Sequence, residues 1–193
     1  MAEVLAFPDG NYRFIRGVFQ YSAGVAAEPG FEIERVRFFR PLSLREGFEA
    51  IQARLEARGR SLTALCACEL RSPAPVSEAG FSAFNQVYVE QLTAWGLYRD
   101  DLNPVARSNV CPANSPPTEP SIHAFSYTVP GAAGGRGTFV VAGSAEAPEG
   151  KPGYREHAIA AGDVSPSGIL EKARWTLGEM ERRMGALGFG WND

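Results

Sequence analysis

The sequence predicts a globular chain that mixes β-strands with amphipathic α-helices, and three observations carry that reading. Phe31 to Phe39, Phe-Glu-Ile-Glu-Arg-Val-Arg-Phe-Phe, alternates apolar and charged residues as a half-buried ribbon does. Ser43-Leu44-Arg45-Glu46 has capping-box spacing and opens a stripe of Leu44, Phe48, Ile51 and Leu55 at helical intervals. The order strand, ribbon, capped helix and glycine over residues 19–59 then returns after residue 137, which marks an incomplete internal repeat.

Composition narrows the function classes. The 193 residues, 45% hydrophobic and 21% charged, suffice to bury a core without metal or disulfide. A net charge of −3 argues against a nucleic-acid partner, which would call for a basic stripe. The start, Met1-Ala2-Glu3-Val4-Leu5-Ala6-Phe7-Pro8, lacks the basic segment and long apolar core of a secretory signal. No stretch approaches the roughly 18 apolar residues of a membrane span, so no membrane partner is expected. Cys66 and Cys68 lie two apart on a strand with no second cluster, and only His123 and His157 stand by to complete a metal site. They read as core thiols, with Cys111 a third free cysteine, and the expected setting is a reducing cytoplasm.

Taken in order, Tyr12 to Phe19 reads as a strand that Tyr21 to Ala27 continues, up to the turn Glu28-Pro29-Gly30. The ribbon 31–39 follows, then the helix opening at Ser43 and stopping at Gly59. Leu62 to Leu70 is apolar on both faces, as in a central strand. After Ser72-Pro73-Ala74-Pro75, a second helix runs from about Ser77 to Trp95. Its stripe is Phe81, Phe84, Tyr88, Gln91 and Trp95, with Asn85 beside it. A polar loop leads to Asn103-Pro104-Val105-Ala106-Arg107, which enters a short strand. A proline-rich loop, Pro112 to Pro120, precedes the strand Ser121 to Val129, with His123, Phe125, Tyr127 and Val129 on one side.

Gly131-Ala132-Ala133-Gly134-Gly135 is the expected boundary. The division is then a first domain over 1–130, a linker over 131–137 and a partial second unit over 138–193. In that unit Thr138 to Gly150 is similar to Phe19 to Gly30. Ser165-Pro166 then caps a helix with the stripe Leu170, Ala173, Leu177, Met180, Met184 and Leu187, ending at Gly188. The second unit has no counterpart of Arg107.

Arg107 is the residue on which function turns: a ligand clamp or an ordinary surface cation. A guanidinium offers paired donors in a rigid fork and keeps its charge, which suits a planar carboxylate. The sequence carries no convincing nucleophile triad, Gly-rich phosphate loop or zinc cluster.

The order and spacing of several motifs resemble the YjgF/RidA family of imine and enamine deaminases. These are Ser22-Ala23-Gly24-Val25, Ala57-Arg58-Gly59, Phe84-Asn85-Gln86-Val87-Tyr88, Pro104-Val105-Ala106-Arg107 and Pro116-Pro117-Thr118-Glu119-Pro120. The match covers 12–130, with a weaker half-match over 138–193. The resemblance implies an α+β fold: a chorismate-mutase-like sheet backed by two helices, plus an incomplete second strand-strand-helix unit. It also implies a homotrimer or other homo-oligomer with clefts between subunits.

The activity so implied is hydrolysis of a small carboxylate-bearing enamine or imine to a keto acid and ammonia, without a cofactor. Arg107 would hold the carboxylate, and Tyr21, Asn85, Tyr88 and Asn109 are candidates to line the substrate site. Imines already hydrolyse in water, so a positioned water and a proton donor suffice. The sequence departs from the family pattern at Val25, where glutamine is usual, and at Asn109, where many members carry cysteine. His123 falls near the position of the family's glutamate on the last strand and is able to move a proton near neutral pH. Glu119 is the second candidate acid. The alternative is a non-catalytic ligand-binding or interaction protein on the same fold; RNA cleavage is disfavoured by the acidic balance.

Overall fold

The computed structural model describes residues 2–75, 78–132, 134–135, 137–149, 151 and 153–193, without the side chains of 78–83 and 154–155. The expected helix start at Ser77, the Phe81 member of its stripe and Ala133 of the connector lie outside that set.

The architecture is α+β, with two four-stranded sheets and helices against them. The first sheet contains β1 (Val4–Phe7), β2 (Tyr12–Ile15), β3 (Gly24–Ala27) and β8 (Phe139–Val141), in the order β1-β2-β3-β8. The second contains β4 (Phe31–Ser43), β5 (Leu65–Arg71), β6 (Ala106–Val110) and β7 (Ser121–Pro130), in the order β4-β7-β5-β6. The helices are α1 (Leu44–Ala57), α2 (Glu78–Ala94), the short α3 (Tyr154–His157) and α4 (Pro166–Leu187). Among the described residues no helix is long and apolar enough to cross a membrane.

The main core joins both sheets to α1 and α2 through Tyr12, Phe48, Ile51, Leu55, Leu70, Leu92 and Phe125. A smaller cluster of Ile15, Ala23, Ala26 and Leu187, with Phe139 and Phe189 against it, lies where α4 meets β2, β3 and β8. Both cores form because the apolar periods of helix and strand present one stripe each.

The helix signals are realised closely. Ser43 Oγ accepts from the Glu46 N–H while Glu46 reaches back to the Ser43 N–H, which completes the capping box. Ser165 caps α4 through the Gly168 N–H, Pro166 takes its first turn, and Gly188 ends it at φ +87°. Of the α4 stripe, Met184 and Leu187 are buried, whereas Leu170 and Leu177 are each 48% exposed. Only the C-terminal half of this helix meets the sheet.

The strand assignments differ in three places. The ribbon expected from Tyr12 through Ala27 is two antiparallel strands, with Tyr12 opposite Ala27 and Ile15 opposite Gly24. The chain folds back between them because residue 17 is glycine: a Cβ there would lie 2.3 Å from the Tyr21 carbonyl oxygen. The segment expected to begin a strand at Leu62 starts as a 3₁₀ turn over Leu62–Ala64, capped by Ser61, and pairs only from Leu65. The N-terminal strand β1 escaped the sequence reading, although its Phe7 is buried in the core.

One link between the sheets places the site. The Ser22 N–H donates to the Val105 carbonyl at 2.9 Å and forms a parallel bridge with Ala106. The loop leaving β2 is therefore tied to the entry of β6.

Two outcomes follow from this framework. Ser43→Ala removes the cap of α1 and lowers the unfolding free energy by about 1 kcal/mol in urea titrations. Glu34 accepts from Tyr127 at 2.6 Å, Arg54 at 2.7 Å and Arg58 at 3.1 Å. The Tyr127 hydroxyl and then the Arg54 guanidinium hold its carboxyl below the ordinary 4.5. Its stabilising contribution is complete above that value and lost as pH falls through the lower, folded pKa. Urea titrations at several pH values should show the gap between wild type and Glu34→Gln steady near neutrality and closing at acid pH.

Candidate active site

Arg107 is placed by three sets of contacts. β6 runs parallel to β5 with Arg107 opposite Cys68, so its side chain shares the face of Cys68, toward α2. Asn103 Oδ1 accepts from the Val105 N–H at 3.1 Å, and its Nδ2 donates to the Phe19 carbonyl at 3.2 Å. Ser22 Oγ donates to the Pro104 carbonyl at 3.0 Å. The turn ahead of the arginine is thus held from both sides, and proline restricts it further.

Arg107 is only 3% exposed. Its guanidinium carbon lies 5.1 Å from the Tyr21 ring centroid, 5.1 Å from that of Tyr88 and 6.0 Å from that of Phe84. Rings at these distances attract a cation, the more strongly where water is excluded. Two polar groups beside it, Tyr88 and Cys68, are neutral at physiological pH. Burial raises the Tyr88 phenol, and burial pushes the Cys68 thiol up to about 12. Asn85, the next residue after Phe84 on α2, is buried, and its Oδ1 accepts no hydrogen bond among the described residues.

Tyr21 links this cage to the C-terminal half of the chain. Its hydroxyl donates to Glu149 Oε1 at 2.8 Å. Arg183 on α4, 1% exposed, lies 2.9 Å from the same Oε1 through Nη2. Its Nη1 donates to the carbonyls of Ala142 at 2.9 Å and Gly143 at 3.1 Å. Burial, and then the Glu149 carboxylate, raise the Tyr21 pKa well above the ordinary phenol value, so Tyr21 stays a donor. The result is a chain of side chains, Arg107–Tyr21–Glu149–Arg183, with the two arginines buried and the tyrosine and glutamate partly exposed. An arginine with three aromatic neighbours and a hydrogen-bonded carboxylate beyond one of them can bind an organic acid and manage a proton next to it.

The structure gathers Arg107, Tyr21 and Tyr88 into one cage, with Asn85 next to it in sequence. Asn109 shares the strand face of Arg107 but lies at its exposed end, where Oδ1 accepts from Ser72 Oγ at 3.1 Å. His123 is the extra residue of a bulge in β7, since Glu69 pairs with Ala124 and Leu70 with Ile122. Its charged neighbours are Arg71, Glu69, Arg35 and Arg37, and burial followed by Arg71 lowers its pKa. Glu119 is exposed and lines an open groove with Leu44, Arg45, Phe84, Val87 and Pro120, where Phe84 is shared with the cage. Cys66 and Cys68 are buried free thiols of the core.

Sequence reasoning passed over Glu149 and Arg183. Glu149 lay in a segment read as a Glu/Pro/Gly turn, and Arg183 adjoins Met184 of the apolar stripe, where a charge is unusual. That adjacency was the available signal.

Comparison with known proteins identifies the family. A family model described as 2-aminomuconate deaminase CnbZ matches residues 4–193. A 2-amino-5-chloromuconate deaminase of Comamonas testosteroni is 52% identical over 194 residues, which cover 100% of this chain and 77% of that protein. No solved structure matches. With a match over almost its whole length and half of its residues shared with that relative, the chain belongs to the 2-aminomuconate deaminase CnbZ family.

Proposed function

We propose that this protein hydrolytically deaminates an aminomuconate-type substrate, a six-carbon dienamine bearing two carboxylates, and that Arg107 holds one of them. The observation that carries this is the desolvated guanidinium between the rings of Tyr21 and Tyr88. A conjugated dienoate is flat, and aromatic walls suit a flat ligand as well as the cation. A carboxylate brought beside a guanidinium in a site shielded from water gains far more than it would at a surface. The names of the family and of the relative point to the same substrate class, as does the resemblance to the YjgF/RidA deaminases. By that resemblance the working form is a homotrimer or another homo-oligomer.

The reaction needs little from the protein. Moving a proton from nitrogen to carbon converts the enamine to an imine. Water adds to the imine carbon, and ammonia leaves to give the 2-keto acid. Holding the carboxylate fixes the reacting carbon, which is bonded directly to it or conjugated with it, and most of the acceleration is positional.

In assays that generate the aminomuconate in situ, ammonia release and loss of dienamine absorbance should both follow added protein. Arg107→Ala should lower kcat/KM by about 100-fold or more, the cost of a lost charge-assisted pair. Arg107→Lys should recover only part, because an ammonium lacks the fork. Wild-type protein that leaves the reaction at its uncatalysed rate would reject the deaminase reading. An Arg107→Ala variant with unchanged kcat/KM would reject the clamp.

A further inference from the structure

We propose that Glu149 is the proton-transfer residue of this site, acting through Oε2, and that Arg183 and Tyr21 position it. The inference rests on the deaminase reading above and concerns the same site.

Three observations converge. Both described bonds to the carboxylate fall on Oε1, from the Tyr21 hydroxyl at 2.8 Å and Arg183 Nη2 at 2.9 Å. Oε2 is left to meet another partner. The side chain is 22% exposed, so water reaches it, whereas Arg183 behind it is 1% exposed and does not move freely. And Glu149 stands one tyrosine away from the Arg107 guanidinium, since the ring that packs on that guanidinium carries the hydroxyl bonded to Glu149. With a carboxylate on Arg107, the adjacent imine carbon and one water would have to lie between the guanidinium and Glu149, because a general base needs contact with the water at about 3 Å.

Arg183 is not itself a second carboxylate clamp. Its Nη1 serves two backbone carbonyls and its Nη2 serves Glu149. It holds the segment 142–149 in place and keeps a negative group beside the cage. Among the described residues the charged and titratable groups facing Glu149 are Arg183, Tyr21 and, further off, Arg182.

The step balances without a cofactor. The water oxygen forms a bond to the imine carbon, the C=N π pair moves to nitrogen, and the water proton goes to Glu149 Oε2. That proton is then delivered to the nitrogen, the hydroxyl left on carbon passes its own proton through the same carboxylate oxygen to that nitrogen as the carbonyl forms, and the C–N bond breaks to release ammonia. Glu149 ends as it began. Of the two acids suggested by sequence, His123 sits among Arg71, Glu69, Arg35 and Arg37, and Glu119 lies at an open groove. Neither has a comparable tie to Tyr21 among the described contacts.

The test compares wild type, Glu149→Gln and Glu149→Asp on 2-aminomuconate, with binding of the 2-oxo dicarboxylate product measured by calorimetry. Glutamine keeps an oxygen for Tyr21 and Arg183 but cannot accept the proton. Its kcat should fall about 100-fold or more, the usual share of general acid–base catalysis, while KM and product affinity stay near wild type. Aspartate keeps the charge but withdraws Oε2 by one methylene, and its kcat should fall as well, with product binding intact. Should glutamine disturb folding, aspartate alone decides. Wild-type kcat in a folded variant, or a loss confined to KM, overturns the assignment while the deaminase reading stands. Wild-type protein that neither turns over aminomuconate nor binds the product overturns both.

Discussion

Glu149 Oε1 receives donors from the two ends of the chain, the Tyr21 hydroxyl and the Arg183 guanidinium, and the surroundings of Arg107 depend on that junction. Arg183 is among the largest fully buried side chains. A cation in such a place is tolerated only when it is paired, and here Nη1 and Nη2 are bonded while the buried Nε has no partner among the described residues. Its partners are the Ala142 and Gly143 carbonyls and Glu149, so segment 142–149 is fixed relative to α4. Through Glu149, the orientation of the Tyr21 ring is fixed as well, and with it one wall of the cage.

The other walls are set by ordinary packing. Phe84 and Tyr88 lie one turn apart on α2 and present the same face, as residues four apart must. Tyr88 also packs on Phe48 of α1 at 5.9 Å between centroids, which anchors it in the main core. Below the guanidinium runs β5, whose Cys68 is a neutral thiol. The site therefore combines a fixed positive charge, apolar planes and one carboxylate held at a distance. Those features suit the proposed reaction, which needs a seat for a flat organic acid and a group to handle a proton beside it.

The C-terminal segment contributes in a way that its partial likeness to residues 19–59 does not convey. β8 pairs antiparallel with β3, placing Val141 opposite Gly24, and the Ala142 N–H donates to the Ala23 carbonyl at 3.0 Å. The two Ala-Gly segments that look alike in sequence thus meet each other across a sheet. A likeness between segments states that they adopt similar local structure; it is silent on whether they lie side by side. The same silence hid Glu149, a residue whose role comes from a tyrosine 128 positions earlier.

By itself the sequence determined what depends on neighbours along the chain. The capping box of α1, the serine cap of α4, the glycine stops of both, the strand character of 31–39 and 121–129, and the proline-held arginine all follow from local propensity and period. They were therefore legible. Arg107, Tyr21, Asn85 and Tyr88 could be named as candidates through a motif order that resembles the YjgF/RidA family. Tertiary structure alone decided the rest. It split 12–27 into two strands at Gly17, because a close approach to the Tyr21 carbonyl is invisible in a hydropathy pattern. It set His123 in a bulge beside Glu69 and Arg71, since strand register is fixed by partners far along the chain. It also brought Glu149 and Arg183 to Tyr21. A buried ion pair is a contact between distant segments, and no spacing along a chain encodes it.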